Sequence, residues 1–204
     1  MSAVRQIMIF ARAPVAGACK TRLIPALGAE GAAALHARLV EHALRIAIES
    51  GAGPVSLWCA GDIAHPFFAH CEDEFGIKLH PQQGEDLGAR MLHAFEQADG
   101  SALLAGSDAP CITTQDWRDC AAALDTHDAV FLPAEDGGYG LVGLRKARAE
   151  IFDGMTWSHA RVMEDTRTRM RDARMTWREV RTIWDVDEEK DLARLRESFP
   201  HILG

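Results

Sequence analysis

Lys20, Thr21 and Arg22 close a loop containing Pro and Gly that follows the apolar run Ile7-Met-Ile-Phe10. Of all the side chains here, these speak most directly of chemistry. An apolar run opening into such a loop reads as a buried strand with a turn at its end. The first 29 residues carry four basic side chains (Arg5, Arg12, Lys20 and Arg22) and no acidic one. The rest of the 204-residue chain holds 18 Lys and Arg against 30 Asp and Glu. A cationic loop at the mouth of a strand, in an otherwise acidic protein, suits an anionic ligand. Phosphate is the first candidate, because strand-to-helix loops also offer free backbone N–H groups.

The loop is not a P-loop, which needs G-x-x-x-x-G-K-[ST]. Here Cys19 precedes Lys20-Thr21, and Pro14 stands where the first glycine belongs, so the backbone freedom to wrap a β-phosphate is missing. Three acidic clusters complement the loop: Gly106-Ser-Asp108-Ala-Pro110, Pro133-Ala-Glu-Asp136-Gly-Gly-Tyr139 and Trp184-Asp185-Val-Asp187. Carboxylates beside a phosphate site make sense when a divalent ion lies between them and the ligand. Oxygen donors without His or Cys ligand spacing favour Mg²⁺ or Mn²⁺ over zinc. Plainer readings exist for each piece. Lys20 and Arg22 would then only improve solubility, Asp108 would cap a turn, Asp136-Gly-Gly would be a hairpin turn, and Asp185 with Asp187 would cap a following helix. The Arg-rich stretch 161–181 also contains Glu164, Asp165, Asp172 and Glu179 and reads as a solvated helix. The nine histidines, His159 included, show no ligand spacing and read as incidental; Trp58, Trp117 and Trp177 read as core.

Composition bounds the class. A chain of this length buries roughly 70–75% of its unfolded surface, enough for one sizeable domain spanning 1–204. Hydrophobic residues at 48% and charged ones at 25% are those of a soluble globule. No apolar run approaches the roughly 18 residues of a membrane helix, and the N-terminus lacks a secretory h-region. A pI near 5.6 and net charge of −8 argue against non-specific nucleic-acid binding. Five cysteines without a C-x-x-C pair suit reduced thiols and a cytoplasmic location. Cys59 and Cys120 read as small core residues.

The elements that must position these residues alternate. Residues 30–49 read as a long helix with Leu35, Leu39, Ala43 and Ile46 on one face. Strands are expected at 54–60, 77–80, 102–105, 129–132 and 177–183, with 140–144 returning antiparallel after the 135–138 turn. Helices are expected at 65–75, from Asp86 to about 98, and at 114–124, 147–152, 160–173 and 188–197. The pattern predicts a three-layer α/β sandwich with a mostly parallel, mixed sheet. In such sheets ligands sit beyond the carboxyl ends of the strands, where the basic loop and the acidic clusters fall.

Several motifs, in order along nearly the whole chain, resemble one bacterial group. They are Phe10-x-Arg-x-Pro14-x-x-Gly17-x-x-Lys20-Thr-Arg-Leu23, Gln83-Gly-Glu-Asp-Leu-Gly-Ala-Arg-Met91, Gly106-Ser-Asp-Ala-Pro110, Asp136-Gly-Gly-Tyr-Gly-Leu-Val-Gly143, Trp157-Ser158, Thr166 and Asp185-Val-Asp187-x-x-x-Asp191-Leu192. The group comprises GT-A-type transferases of the nucleotide-diphospho-sugar superfamily, the radical-SAM/selenodomain-associated transferases, some assigned to arsenosugar biosynthesis. The opening loop also resembles that of phospholactate guanylyltransferases.

The resemblance implies that Lys20 and Arg22 hold nucleotide phosphates. Ala11, Arg12 and the Pro14–Gly17 turn would lie near base or ribose, and Asp86 and Arg90 would complete that pocket. Asp108 and Asp187 would hold Mg²⁺ or Mn²⁺, with Asp185 in support. Asp136, Gly137, Gly138, Tyr139, Trp157 and Ser158 would shape the sugar or acceptor side, Lys20, Arg22, Asp108 and Asp136 being the catalytic set. Arg12, Ala109 and Cys111 depart from the group's pattern and bear on substrate identity. The implied activity is glycosyl transfer from a nucleotide-diphospho-sugar to a small acceptor. Nucleotidyl transfer with release of pyrophosphate is the alternative, and a non-catalytic nucleotide-sugar binder is a third reading.

Overall fold

Alternation of side chains along each strand decides the two faces of the sheet. In β1 (Gln6–Arg12), Ile7, Ile9 and Ala11 are buried on one side and Met8 and Phe10 on the other, the two-residue period of an extended chain. The computed structural model describes residues 4–203; residues 1–3 and 204, the ends of the expected 1–204 domain, lie outside the described residues. β1 is flanked in parallel by β2 (Val55–Ala60) and β4 (Ala102–Gly106), and β2 in turn by β3 (Lys78–Pro81). β6 (Tyr139–Leu144) runs antiparallel between β4 and β5 (Ala129–Pro133), and β7 (Trp177–Glu179) lies parallel to β5. The seven strands are ordered β3-β2-β1-β4-β6-β5-β7. With β6 alone reversed, the other six strands present their carboxyl ends along one edge.

Helices α1 (Ile24–Ser50), α2 (Pro66–Phe75) and α4 (Thr114–Ala123) cover one face, placing Val40, Leu44, Phe68, Trp117 and Cys120 on the β1 side that carries Ile7 and Ile9. α3 (Leu87–Gln97) and α5 (Val162–Asp172) cover the other, with Met91, Phe95, Met163 and Met170 against Met8, Leu104 and Phe131. α6 (Glu189–Ser198) and α7 (Pro200–Leu203) close a third cluster in which Trp184, Val186, Leu195 and Ile202 meet Leu35 and Leu39 of α1. This is the expected three-layer α/β sandwich with a mixed sheet. Each fully buried Leu, Ile or Phe contributes about 1.5–3 kcal/mol of burial energy.

Three expected elements differ. The helix expected from residue 30 continues back to Ile24 through a break at Gly28, whose φ of 72° and ψ of 166° only glycine adopts readily. The 147–152 helix shrinks to a single 3₁₀ turn, Ala149–Ile151. The 177–183 strand stops at Glu179. Val180 still donates its N–H to the Phe131 carbonyl, and the chain rejoins the sheet edge only at an isolated bridge between Ala134 and Ile183. Between them Arg181 turns aside to Asp116, donating from Nε to Oδ1 and from Nη2 to Oδ2, both at 2.7 Å. The Arg-rich stretch is therefore not merely solvated. Arg167 is likewise forked onto Glu179 at 2.8 and 2.7 Å.

Candidate functional site

The carboxyl ends of β1, β4 and β5 open on two compartments. The larger, about 360 Å³, is walled by Phe10, Leu87, Met91, Leu104, Tyr139, Val142, Trp157, Val162 and Ile183 and edged by Ser158 and His159. Asp108, Asp136, Asp185 and Asp187 all line it, and no Lys or Arg does. The smaller, about 290 Å³, is formed by Arg12, Ala18, Cys19, Lys20, Thr21, Arg22 and His36. Asp108 and Asp187 line both and form their common wall.

The basic loop does not wave in solvent. Lys20 takes a left-handed backbone conformation, φ 46°, and its side chain is only 5% exposed. Its Nζ donates to the Val186 carbonyl at 2.6 Å and pairs with Asp108 Oδ1 at 2.9 Å. Arg22 Nη1 lies 2.5 Å from Asp187 Oδ2. Lys20 is therefore not a merely solubilising side chain: the ammonium is a tie between the β1 loop, the β4 loop and the segment leading to α6. That segment is itself fixed by Val186 N–H donating to the Asp108 carbonyl and by the Asp187 and Glu188 N–H groups donating to Asp191.

Charge governs the carboxylates differently. Burial opposes ionisation of Asp108, whose Oδ1 is sealed from solvent, yet the adjacent Lys20 holds its carboxyl below the usual carboxylate range. Among the described residues Asp185 forms no ion pair, and the more distant Lys20 charge lowers it only in part. Burial, with the nearby charges of Asp136 and Asp108, pushes it up to about 6. Asp136 closes the β5–β6 turn, its Oδ1 accepting from Gly138 N–H at 2.9 Å. Gly137 has φ 92°, and a Cβ there would fall 1.9 Å from the Ala160 carbonyl oxygen, so the turn is held tightly on the chain entering α5. Ser158 also has a positive φ, 64°, a conformation that non-glycine residues adopt at a cost and that clusters at ligand-binding sites. Tyr139 presents its ring edge-on to both Phe131 and Trp157, at 5.2 and 6.5 Å. Its hydroxyl is sealed from solvent beside Thr166, and burial raises its pKa.

Among the described residues, no three His, Cys, Asp or Glu side chains gather closely enough to make a metal cage unaided. The donor set instead suits an ion that takes one or two carboxylates and completes its shell with water and ligand phosphate, as Mg²⁺ does. Asp108 and Asp187, on the wall shared with the basic compartment, fit that demand.

Other expected site residues lie elsewhere. Asp86 caps α3, accepting from Ala89 N–H at 2.8 Å, and Arg90 Nε donates to the Gly84 carbonyl at 3.1 Å. Neither lines either compartment; Leu87 and Met91 of the same turn do. Asp86 caps the N-terminus of α3, satisfying one of its orphan N–H groups. Ala11 is buried in the core and the Pro14–Gly17 turn lies outside the lining, whereas Arg12 is in it. His36, read from sequence as incidental, lines the basic compartment at 4% exposure, its Nε2 3.0 Å from the Arg12 carbonyl. A histidine on the otherwise apolar inner face of α1, beside Leu35 and Leu39, was the available signal. Trp177, expected in the core, is half-buried and donates to Glu179 at 3.1 Å.

Residues 43–159 match the model of a family described as an uncharacterized protein conserved in bacteria, DUF2064. No curated protein matches the sequence. A provisionally assigned nucleotide-diphospho-sugar transferase from Desulfovibrio desulfuricans G20 is 29% identical, with a TM-score of 0.84 over 98% of this chain and 94% of that one. Two more distant structures share the fold. A CMP:2-keto-3-deoxy-manno-octonic acid synthetase complexed with CTP is 14% identical (TM-score 0.62, covering 97% and 99%). A 4-diphosphocytidyl-2C-methyl-D-erythritol synthase from Anaerococcus prevotii DSM 20548 is 9% identical (TM-score 0.65, covering 96% and 99%).

Proposed function

The chain belongs to that bacterial family, DUF2064, and we propose that it is a metal-dependent transferase that moves a glycosyl group from a nucleotide-diphospho-sugar to a small acceptor. One observation carries the reading: two compartments of opposite character share Asp108 and Asp187. Lys20 and Arg22, with Arg12, would hold the diphosphate of the donor in the basic compartment. Asp108 and Asp187 would hold Mg²⁺ or Mn²⁺, which when bound neutralises the diphosphate. The sugar ring and acceptor would occupy the larger cleft, against the faces of Tyr139 and Trp157. There the acceptor hydroxyl forms its bond to the anomeric carbon as the bond to the diphosphate oxygen breaks. The electron pair leaves on that oxygen, which Lys20 and Arg22 stabilise, and Asp136 takes the acceptor's proton. Catalysis of this kind is positioning plus electrostatics.

The lining of the larger cleft favours glycosyl over nucleotidyl transfer. Asp136 and Asp185, which pair with neither Lys20 nor Arg22, in a lining that contains no Lys or Arg, disfavour a phosphate- or carboxylate-bearing co-substrate and suit a neutral, hydroxyl-rich one. Nucleotidyl transfer is supported by the names of the two distant structures, one a CMP-linking synthetase and the other a diphosphocytidyl synthase. Incubating the protein with Mg²⁺ or Mn²⁺ and panels of nucleotide sugars and nucleoside triphosphates, then resolving products by mass, decides. Glycosyl transfer releases a nucleoside diphosphate from a nucleotide sugar. Pyrophosphate with a nucleotide joined to substrate gives the second reading the place of the first. Tight binding without turnover overturns both in favour of a binding protein.

A further inference from the structure

We propose that His36 is a further anion-binding residue of the basic compartment, and that a dianion entering there brings a proton, which the imidazole takes up at Nδ1. The inference rests on the transferase reading above and concerns a ring to which that reading gives no role. His36 is 4% exposed on the inner face of α1 and lines the compartment with Arg12, Lys20 and Arg22. Its Nε2 lies 3.0 Å from the Arg12 carbonyl. A carbonyl only accepts, so Nε2 carries the hydrogen and Nδ1 of the neutral ring carries a lone pair. That Nδ1 is sealed from solvent and has no partner. Buried polar atoms are almost always satisfied, and one left over on the wall of a cavity calls for a ligand group.

A ligand hydroxyl donating to the lone pair would satisfy it, as would an anionic oxygen accepting from Nδ1–H. The three cations of the compartment select an anion. A lone pair facing an anionic oxygen repels it, whereas Nδ1–H of an imidazolium is a charge-assisted donor. Without ligand the ring is kept neutral. Burial holds it below the ordinary imidazole range and Lys20 and Arg12 act the same way, while Asp108 and the Arg12 carbonyl oppose them. Asp108 has its ion pair with Lys20. Cys19, Arg22 and Asp187 complete the ionisable lining, and Arg38, the nearest charged neighbour on α1, is turned to the Ile202 and Leu203 carbonyls. A dianion placed among these groups tips the balance toward the imidazolium. Anion binding and protonation are then linked, by the same factor in both directions. Affinity is flat above the titration of the liganded ring, rises as pH falls through the imidazole range, and is flat again below the titration of the free ring. A ring that only braces the Arg12 carbonyl gives neither the rise nor the proton.

The test uses sulfate and the full chain in EDTA at constant ionic strength, because sulfate keeps its charge across the imidazole range, where inorganic pyrophosphate would titrate itself. The His36 ring resonances, identified by their loss in His36→Gln, are followed by proton NMR from pH 4.5 to 8.5 with and without sulfate. Sulfate should raise their midpoint by about one pH unit or more, which means that it binds the imidazolium form about tenfold tighter. Sulfate affinity should rise by a similar factor as pH falls. In His36→Gln, whose amide keeps a donor for the Arg12 carbonyl, most of that rise should vanish. The variant retains the other histidines and Asp185, which titrates near 6 in the neighbouring compartment, and so measures their contribution. A midpoint that sulfate leaves in place, a rise undiminished in the variant, or no sulfate binding at the acid end would overturn the proposal. The ring titration of the unsubstituted protein decides even where the variant fails to fold. Failure of the transferase reading is separate: sulfate and proton remain linked in a protein that turns over no donor.

Discussion

Lys20→Met removes the ammonium but keeps the apolar stem, and the structure sets what that should cost. Two contacts disappear, the 2.6 Å bond to the Val186 carbonyl and the 2.9 Å pair with Asp108. A hydrogen bond to a charged group contributes about 1.5–3 kcal/mol, and breaking a fully buried ion pair costs about 3–5 kcal/mol. Asp108 is 46% exposed, so solvent recovers part of its charge and the larger figure must be discounted. The net expectation is a loss of about 2–3 kcal/mol. For a domain of this size about 2–4 °C accompany each kcal/mol, giving a fall in Tm of about 4–12 °C at neutral pH. The sign of the pH dependence follows from Asp108. Its folded carboxyl titrates below the ordinary value, because Lys20 outweighs the effect of burial. The stabilisation is thus complete above the unfolded carboxylate value, near 4, and fades as pH falls through the lower folded value. The gap between wild type and variant, measured by thermal melts from pH 8 to 2, should be constant to about pH 4 and close below it. A Tm change under about 1 °C at pH 7 would refute the reasoning, as would a gap undiminished at the acid limit.

Gly137→Ala should destabilise by about 2–4 kcal/mol, since the new Cβ meets the Ala160 oxygen at 1.9 Å and φ is 92°; chemical denaturation measures it. Tyr139→Phe should leave donor affinity unchanged and change Tm little, because the hydroxyl is sealed from solvent beside Thr166; a tenfold affinity loss by calorimetry would show that it reaches a ligand. Arg181→Met should cost about 3 kcal/mol by leaving Asp116, 6% exposed, unpaired. Asp116→Asn should recover part of this loss, and denaturant titrations of the single and double variants read it. Burial raises Asp116 but its bonds from Arg181 and Thr113 lower it further, so this contribution too is present above the ordinary carboxylate range and lost in acid.

The strands and most helices were legible because their signals are local. The apolar runs of β1 and β4 and the Asp86 cap all act within a few residues. The β6 reversal was legible from Glu135-Asp-Gly-Gly. What escaped depends on partners far along the chain. Arg181 abandons the β7 ladder for Asp116, 65 positions away, and Lys20 reaches Val186 across 166. No local pattern distinguishes such a cation from a solubilising one. Asp86 shows a role the motif does not specify: its carboxylate caps α3. His36 was missed for want of a second histidine, a criterion for metal ligands that says nothing of a ring closing a compartment against a backbone carbonyl.

Electrostatic imbalance ties these strands together. Folding draws four carboxylates to one cleft, and two of them find cations from the β1 loop while Asp136 and Asp185 do not. Asp185 registers the imbalance, burial and its neighbours' charge pushing it up to about 6, a resting state in which it is partly protonated near neutrality. Under the proposed function, a divalent cation on the shared wall would offset that imbalance. Positive charge on the shared wall would lower the repulsion among all four carboxylates at once.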